Sequence, residues 1–163
     1  MIGVILGNGP SKSRYDRSGD FVLGCNIPSP EYSVDATVIC DEEIVWVLKN
    51  DFTLIQVPVI ISTKVFEKMK EFGIVDQFTI HHVFKPKDWH NAALYAADYL
   101  MEFGCNEIHI WGCDSIFDDD ISSTTDNYVE KDMDASRFLK HWREEWDKKL
   151  CYDVRFVAYR NAK

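Results

Sequence analysis

No apolar run in this 163-residue chain approaches the ~20 residues that a membrane-spanning helix needs. The start carries no basic region, no long apolar segment and no small-residue cleavage site. It does not read as a secretory signal, and Met1 is expected to open the folded domain directly. Positive charge is scarce, with 18 Lys and Arg against 27 Asp and Glu and a formal net charge of −9. A protein that grips a duplex normally presents a basic face, so no nucleic-acid partner is expected. The five cysteines, Cys25, Cys40, Cys105, Cys113 and Cys151, contain no C-x-x-C pair and are odd in number. Most lie in or beside apolar runs, so buried free thiols in a reducing cytoplasm are expected rather than a disulfide framework or a zinc site. Repeats, low-complexity tracts and linkers are also missing, and residues 1–163 are expected to form a single domain with a full core.

Two nucleotide motifs are absent. No G-x-x-x-x-G-K-[ST] occurs, which removes the P-loop. The dinucleotide fingerprint G-x-G-x-x-G begins at Gly7 and Gly9 but meets Lys12 at its third glycine. The acidic residue that would hold a ribose about twenty positions on is replaced by Asn26. Hydride transfer with a nicotinamide cofactor is therefore disfavoured, while a ribose or base contact from Asn26 stays open.

What is present is a pattern of short apolar runs alternating with helical periods. Ile2 to Leu6 reads as a buried strand delivered into the turn Gly7-Asn8-Gly9-Pro10-Ser11. The glycines allow positive φ and close approach, and free N–H groups in such a turn can cradle a phosphate. Lys12, Arg14 and Arg17 follow, either as a solvated turn or as phosphate-neutralising cations. Asp20–Asn26 and Asp35–Asp41 read as strands. Asp41-Glu42-Glu43 suits a helix start running to about Leu48. Phe52 to Ser62, broken by Pro58, reads as one or two strands. Thr63–Phe72 reads as a helix stopped by Gly73, and Gln77–Phe84 as a strand. Asp88 is placed to cap a helix over Trp89–Phe103, whose stripe Ala92, Ala93, Ala96, Ala97, Leu100 and Met101 would let it sit close to a sheet. Glu107–Trp111 reads as a strand, Ser115–Asn127 as a polar loop, Asp132–Lys149 as a helix and Asp153–Tyr159 as a closing strand. This alternation predicts an α/β fold: a three-layer, doubly wound, mainly parallel, Rossmann-like sheet.

In such sheets the ligand lies beyond the carboxyl ends of the strands at a switch point. The residues expected there are Gly7, Asn8, Gly9 and Ser11, then Asn26, Asp41, the turn around Asn91, and Gly112 with Asp114. They suit a mononucleotide pocket, and they equally suit ordinary strand-end and capping roles. Among the histidines, His81 and His82 are adjacent on a strand and should point to opposite faces. His109 reads as structural and His141 as solvent-facing. His90, at a helix start beside the expected pocket, is the acid–base candidate. Asp118-Asp119-Asp120 reads as a solvated acidic loop, with Mg²⁺ binding alongside a diphosphate as the alternative.

Together, Ile5-Leu6-Gly7-Asn8-Gly9-Pro10-Ser11, Cys25-Asn26, the small-residue helix with Gly104 and Glu107, and Gly112-Cys113-Asp114 resemble the bacterial family-42 sialyltransferases. They also resemble the related pterin pyrophosphokinase-like and flagellin-glycosylating domains. The resemblance covers residues 1 to about 114, and the terminal helix and strand fit it. It implies a Rossmann-like domain holding a nucleotide, in the sialyltransferases the cytidine of an activated sugar donor. Asn8, Gly9 and Ser11 would face phosphate and sugar, Asn26 the nucleotide, and Gly112 and Asp114 the pocket wall. The family's Thr-Ser-Gly type turn is replaced by Asn91-Ala92-Ala93. The family's catalytic histidine after Gly-x-Asp has no counterpart in Asn127-Tyr128-Val129-Glu130, which leaves Tyr128 or Glu130 as substitutes. Three functions stay open: a nucleotide-sugar-dependent transferase, a non-catalytic nucleotide-binding or sensing module, and a Mg²⁺-dependent diphosphotransferase using Asp41, Asp114 or Asp118. A cytoplasmic location is expected. The aromatic content (13%) permits a homo-oligomer surface.

Overall fold

The computed structural model describes residues 1–16, 19–87, 91–113, 144–149 and 154–159. They form a seven-stranded sheet. Its strands are β1 (Ile2–Leu6), β2 (Phe21–Cys25), β3 (Ala36–Ile39), β4 (Val59–Ser62), β5 (Ile80–Phe84), β6 (Glu107–Trp111) and β7 (Arg155–Ala158). The spatial order is β5-β4-β3-β2-β1-β6-β7. Every pairing is parallel. The fold is therefore α/β and Rossmann-like, as the alternation predicted, and the sheet is parallel throughout.

Strands buried on both faces read as continuous apolar runs, and β3 and β4 do so. Their successive side chains divide between two cores. Val38 and Ile60 pack on one face with the alanine stripe of α3 (Ala92–Glu102). Ile39, Val59 and Ile61 pack on the other with α1 (Glu43–Asn50) and α2 (Thr63–Glu71). The alanines let α3 approach closely: a Cβ at Gly3 would lie only 3.0 Å from Leu100 Cδ1. Residues 144–149 are helical and bury Trp146 in the same core as α3.

Several local expectations are corrected. Of the one or two strands expected over Phe52 to Ser62 the structure forms one, Val59–Ser62, and Phe52–Leu54 forms a 3-10 turn instead of the second. The reason lies at Asp51, whose carboxylate accepts from both the Thr53 N–H (3.0 Å) and its hydroxyl (2.6 Å) and so bends the chain. The cap of α3 is Asn91, not Asp88: Asn91 Oδ1 accepts from Leu94 N–H at 3.0 Å. His81 and His82 do not separate cleanly. The register steps from Val59↔Ile80 to Ile60↔His82, skipping His81. Both rings consequently come near Tyr99, at 6.3 and 5.9 Å. The expected helix start at Asp132 lies outside the described residues.

Candidate functional site

The strand order reverses at β1. The chain runs outward from β1 to β5 on one side and resumes with β6 on the other. The carboxyl ends of β1 and β6 therefore flank the switch-point crevice where such folds place ligands. Three bonds tie the two ends together, and a fourth, from Lys12 to Gly9, closes the β1 turn on itself. Gly7 N–H donates to Trp111 O at 2.8 Å, Gly9 N–H to Gly112 O at 2.6 Å, and Lys12 N–H to Gly9 O at 3.2 Å. Gly112 N–H donates to Ser11 Oγ at 2.8 Å, and Ser11 is fully buried.

These bonds revise the turn in two respects. The N–H groups of Gly7 and Gly9 were expected to be free for an anion, but both are spent on the β6 end. Neither bond involves Asn8 N–H. The positive φ that Gly7 and Gly9 allow is not used by either; of the glycines at this edge Gly112 alone has it, at +71°. Gly9 is extended, with φ −69° and ψ 169°. What Gly7 supplies is space: a Cβ there would sit 2.5 Å from Gly112 O.

Asn8 and Asn26 hold the adjoining rim. Asn8 Nδ2 donates to Cys25 O and Ile27 O, both at 3.2 Å, and so fastens the β1 turn to the end of β2. Asn26 adopts a left-handed backbone, φ +57°, which a non-glycine residue enters at a cost. Its N–H donates to Val38 O at 2.9 Å, and its carbonyl accepts from Thr37 Oγ1 at 2.7 Å. Its side-chain Oδ1 is buried without a hydrogen-bond partner. A buried acceptor left open beside a crevice is a polar group available to a ligand.

Asp41 follows β3 and lies two strands from β1, about 10 Å at the usual spacing of about 4.8 Å per strand. It borders a cleft of about 420 Å³ together with Trp46, Lys64, Lys68, Lys87 and Tyr95. The Asp41 carboxyl is held above the ordinary carboxylate range, first by the protein packed around it and then by Glu43. One side of the residue remains open to solvent. Cys40 beside it is held well above its ordinary value by burial, then by the Asp41 carboxylate and its hydrogen bond. A thiol so raised is not an activated nucleophile. Ser62 sets the far wall. Its hydroxyl donates to Cys40 O (3.1 Å) and accepts from Val65 N–H (3.2 Å), capping α2 and fixing Lys64 and Lys68 at the cleft.

Gly7, Asn8, Gly9, Ser11, Asn26 and Gly112 are thus brought to one edge of the sheet. Asp41 belongs to the neighbouring cleft, and the Asn91 side chain is engaged as the cap of α3. His90, Asp114, Tyr128 and Glu130 lie outside the described residues, as do His141 and Asp118 to Asp120. His109 sits within β6, between Tyr159 OH (2.9 Å from Nδ1) and Glu107 (3.0 Å from Nε2), so it braces two strands. Among the described residues no three His, Cys, Asp or Glu side chains gather as a metal site, and no helix is long and apolar enough to cross a membrane. Trp46, Lys64 and Lys87 were not singled out from the sequence. For Trp46 a signal existed: Ile44, Val45 and Leu48 form the buried stripe of α1, and Trp46 lies off it, 55% exposed.

No protein family and no curated protein matches the chain at significance. Among solved structures it is similar to the sialyltransferase CST-II in complex with a trisaccharide acceptor and CMP. The TM-score is 0.54 at 13% identity, over 97% of this chain and 80% of that one. The chain therefore shares the α/β architecture of that structure. At that identity the likeness establishes architecture alone.

Proposed function

We infer that the protein is a nucleotide-sugar-dependent transferase that binds a mononucleotide or nucleotide-sugar at the Gly7–Ser11 edge. The observation carrying this reading is the pairing at the switch point. Two backbone segments close on each other at Gly7 and Gly112, and the buried, unpartnered Asn26 Oδ1 stands on the rim beside them. The similarity in fold to a sialyltransferase crystallised with CMP and an acceptor supports it. The incomplete dinucleotide fingerprint favours one nucleotide over two. Direct displacement at the donor sugar would leave a nucleotide phosphate, whose charge would have to be met by donors other than the Gly7, Gly9 and Gly112 N–H groups, which are bonded within the edge. His90, Tyr128 and Glu130 remain the candidates for proton transfer from the sequence, with Asp114 on the pocket wall. A cytoplasmic location belongs to the same reading, supported by the free, buried Cys25, Cys40, Cys105 and Cys113.

A second reading, a nucleotide-binding module without turnover, is favoured by one fact. Among the described residues no histidine lies at the Gly7–Gly112 crevice: His81 and His82 are on β5, and His109 braces β6. A thermal-shift panel of CMP, CDP, UDP, ATP and CMP-sugars, with and without Mg²⁺, separates the readings. Metal-independent stabilisation by cytidine nucleotides with release of CMP from a donor is the expected result. Stabilisation without turnover selects the binding module. Stabilisation by ATP only with Mg²⁺ selects diphosphate transfer, and no stabilisation by any nucleotide overturns the common premise.

A further inference from the structure

The cleft at the ends of β3, β4 and β5 is not needed to hold a nucleotide at β1, yet its lining is chemically specific. Trp46 presents an exposed indole to it, braced edge-on by Phe72 with ring centroids 4.6 Å apart. An indole in a polar cleft is a stacking surface for the C–H face of a sugar ring. Three lysines border the same space, and two are engaged. Lys68 pairs with Glu71 at 3.1 Å and Glu42 at 3.9 Å, and Lys87 with Asp98 at 3.7 Å. Lys64 enters no ion pair among the described residues, and its charge acts on the Asp41 carboxyl across the cleft. The cleft therefore offers an aromatic platform, three carboxylates (Asp41, Glu42 and Glu43) and three lysines, of which Lys64 is the one outside the ion pairs of the described residues. Its volume, about 420 Å³, lies within the range of small-ligand sites.

We propose that this cleft is the acceptor subsite, that it takes an acidic sugar with its carboxylate on Lys64 and its ring on Trp46, and that Asp41 receives the proton of the attacking hydroxyl. The proposal rests on the transferase reading. In the step, the acceptor oxygen forms a bond to the anomeric carbon of the nucleotide-sugar. The bond from that carbon to the phosphate oxygen breaks, the nucleotide leaves with the electron pair, and the acceptor's proton passes to an Asp41 carboxylate oxygen. The separation of about 10 Å between the β1 and β3 ends leaves room for a donor sugar between nucleotide and acceptor. Asp41 borders the cleft, and burial and then Glu43 raise its basicity against the opposing pull of the Cys40 hydrogen bond and the Lys64 charge.

The test pairs galacturonate with galactose, which share a ring and differ in the carboxylate. Tryptophan fluorescence of the whole chain is titrated with each in the absence of nucleotide. Galacturonate is expected to change the signal and to bind roughly three- to tenfold more tightly than galactose. Lys64→Gln should abolish that preference, and Trp46→Phe should remove the signal change. Equal affinities for the two sugars, or a preference that survives Lys64→Gln, overturns the subsite. In turnover with a nucleotide-sugar, Asp41→Asn should lower kcat at least tenfold with KM for galacturonate within about twofold, and should abolish the rise of kcat with pH. An unchanged kcat, or an absence of turnover while galacturonate still binds, overturns the proton-accepting role. A parallel nucleotide titration of Asn26→Gly keeps the two readings apart. Loss of nucleotide binding alone leaves the cleft standing, and loss of sugar preference alone leaves the nucleotide edge standing.

Discussion

Gly7 and Gly112, 105 positions apart in the chain, touch through their backbones: a Cβ on Gly112 would lie 2.3 Å from Gly7 O. Neither position tolerates a side chain without moving main chain, because the obstructing atoms are carbonyls rather than flexible side-chain ends. The floor of the switch-point crevice is a contact between two glycines.

Gly112→Ala should therefore destabilise the fold by about 2–4 kcal/mol, combining left-handed strain with overpacking. Urea denaturation at fixed m-value measures it. A loss below about 0.5 kcal/mol would mean that the two loops are not in contact.

Ser11→Ala removes the acceptor of the buried Gly112 N–H and should cost about 1–3 kcal/mol. Amide hydrogen exchange provides the specific readout. Gly112 N–H should lose protection in the variant, while amides within β3 and β4 keep theirs.

Asn26 separates stability from binding. Asn26→Gly relieves the left-handed backbone, so stability should hold or rise while nucleotide affinity falls about tenfold through loss of Oδ1. Asn26→Ala should lose about 1 kcal/mol of stability as well. Calorimetric titration with CMP, alongside thermal melts, would show an unchanged affinity in Asn26→Gly if the side chain does not meet the ligand.

Asp41 makes a pH prediction whose sign is the reverse of a paired carboxylate. Its folded-state pKa is raised above 3.8, so folding favours the protonated form. The penalty is full above the raised value, shrinks as pH falls through it, and vanishes below 3.8. Asp41→Asn should raise the melting temperature at pH 7 to 8, with the gain fading toward pH 4. A gain independent of pH would mean that the carboxyl is not perturbed.

Cys40 should resist alkylation. Burial and the adjacent Asp41 keep the thiol neutral, so iodoacetamide at pH 8 should leave it unlabelled in the native state and label it after urea unfolding. Rapid native labelling at Cys40 would contradict the packing of the β3 end.

The sheet was largely legible because parallel strands buried on both faces leave unbroken apolar runs, as in Val59-Ile60-Ile61. The stripe of α3 was legible for the same reason, since Ala92, Ala93, Ala96, Ala97 and Leu100 are all buried. Boundaries set by side-chain chemistry were less so. Asp88 and Asn91 are both good caps in sequence, and only the position of the chain decided for Asn91. The bulge at His81 is a property of the pairing with β4 and has no local signature.

The sequence by itself determined the order of strands and helices and the short polar residues at the strand ends. Those features follow from periodicity and turn chemistry, which are local. The tertiary structure alone decided which N–H groups remain for a ligand, because Gly7 and Gly9 spend theirs on a strand about a hundred residues away. It also decided that Asp41 shares a cleft with Trp46 and Lys64, since charge and burial depend on what three separate elements bring together.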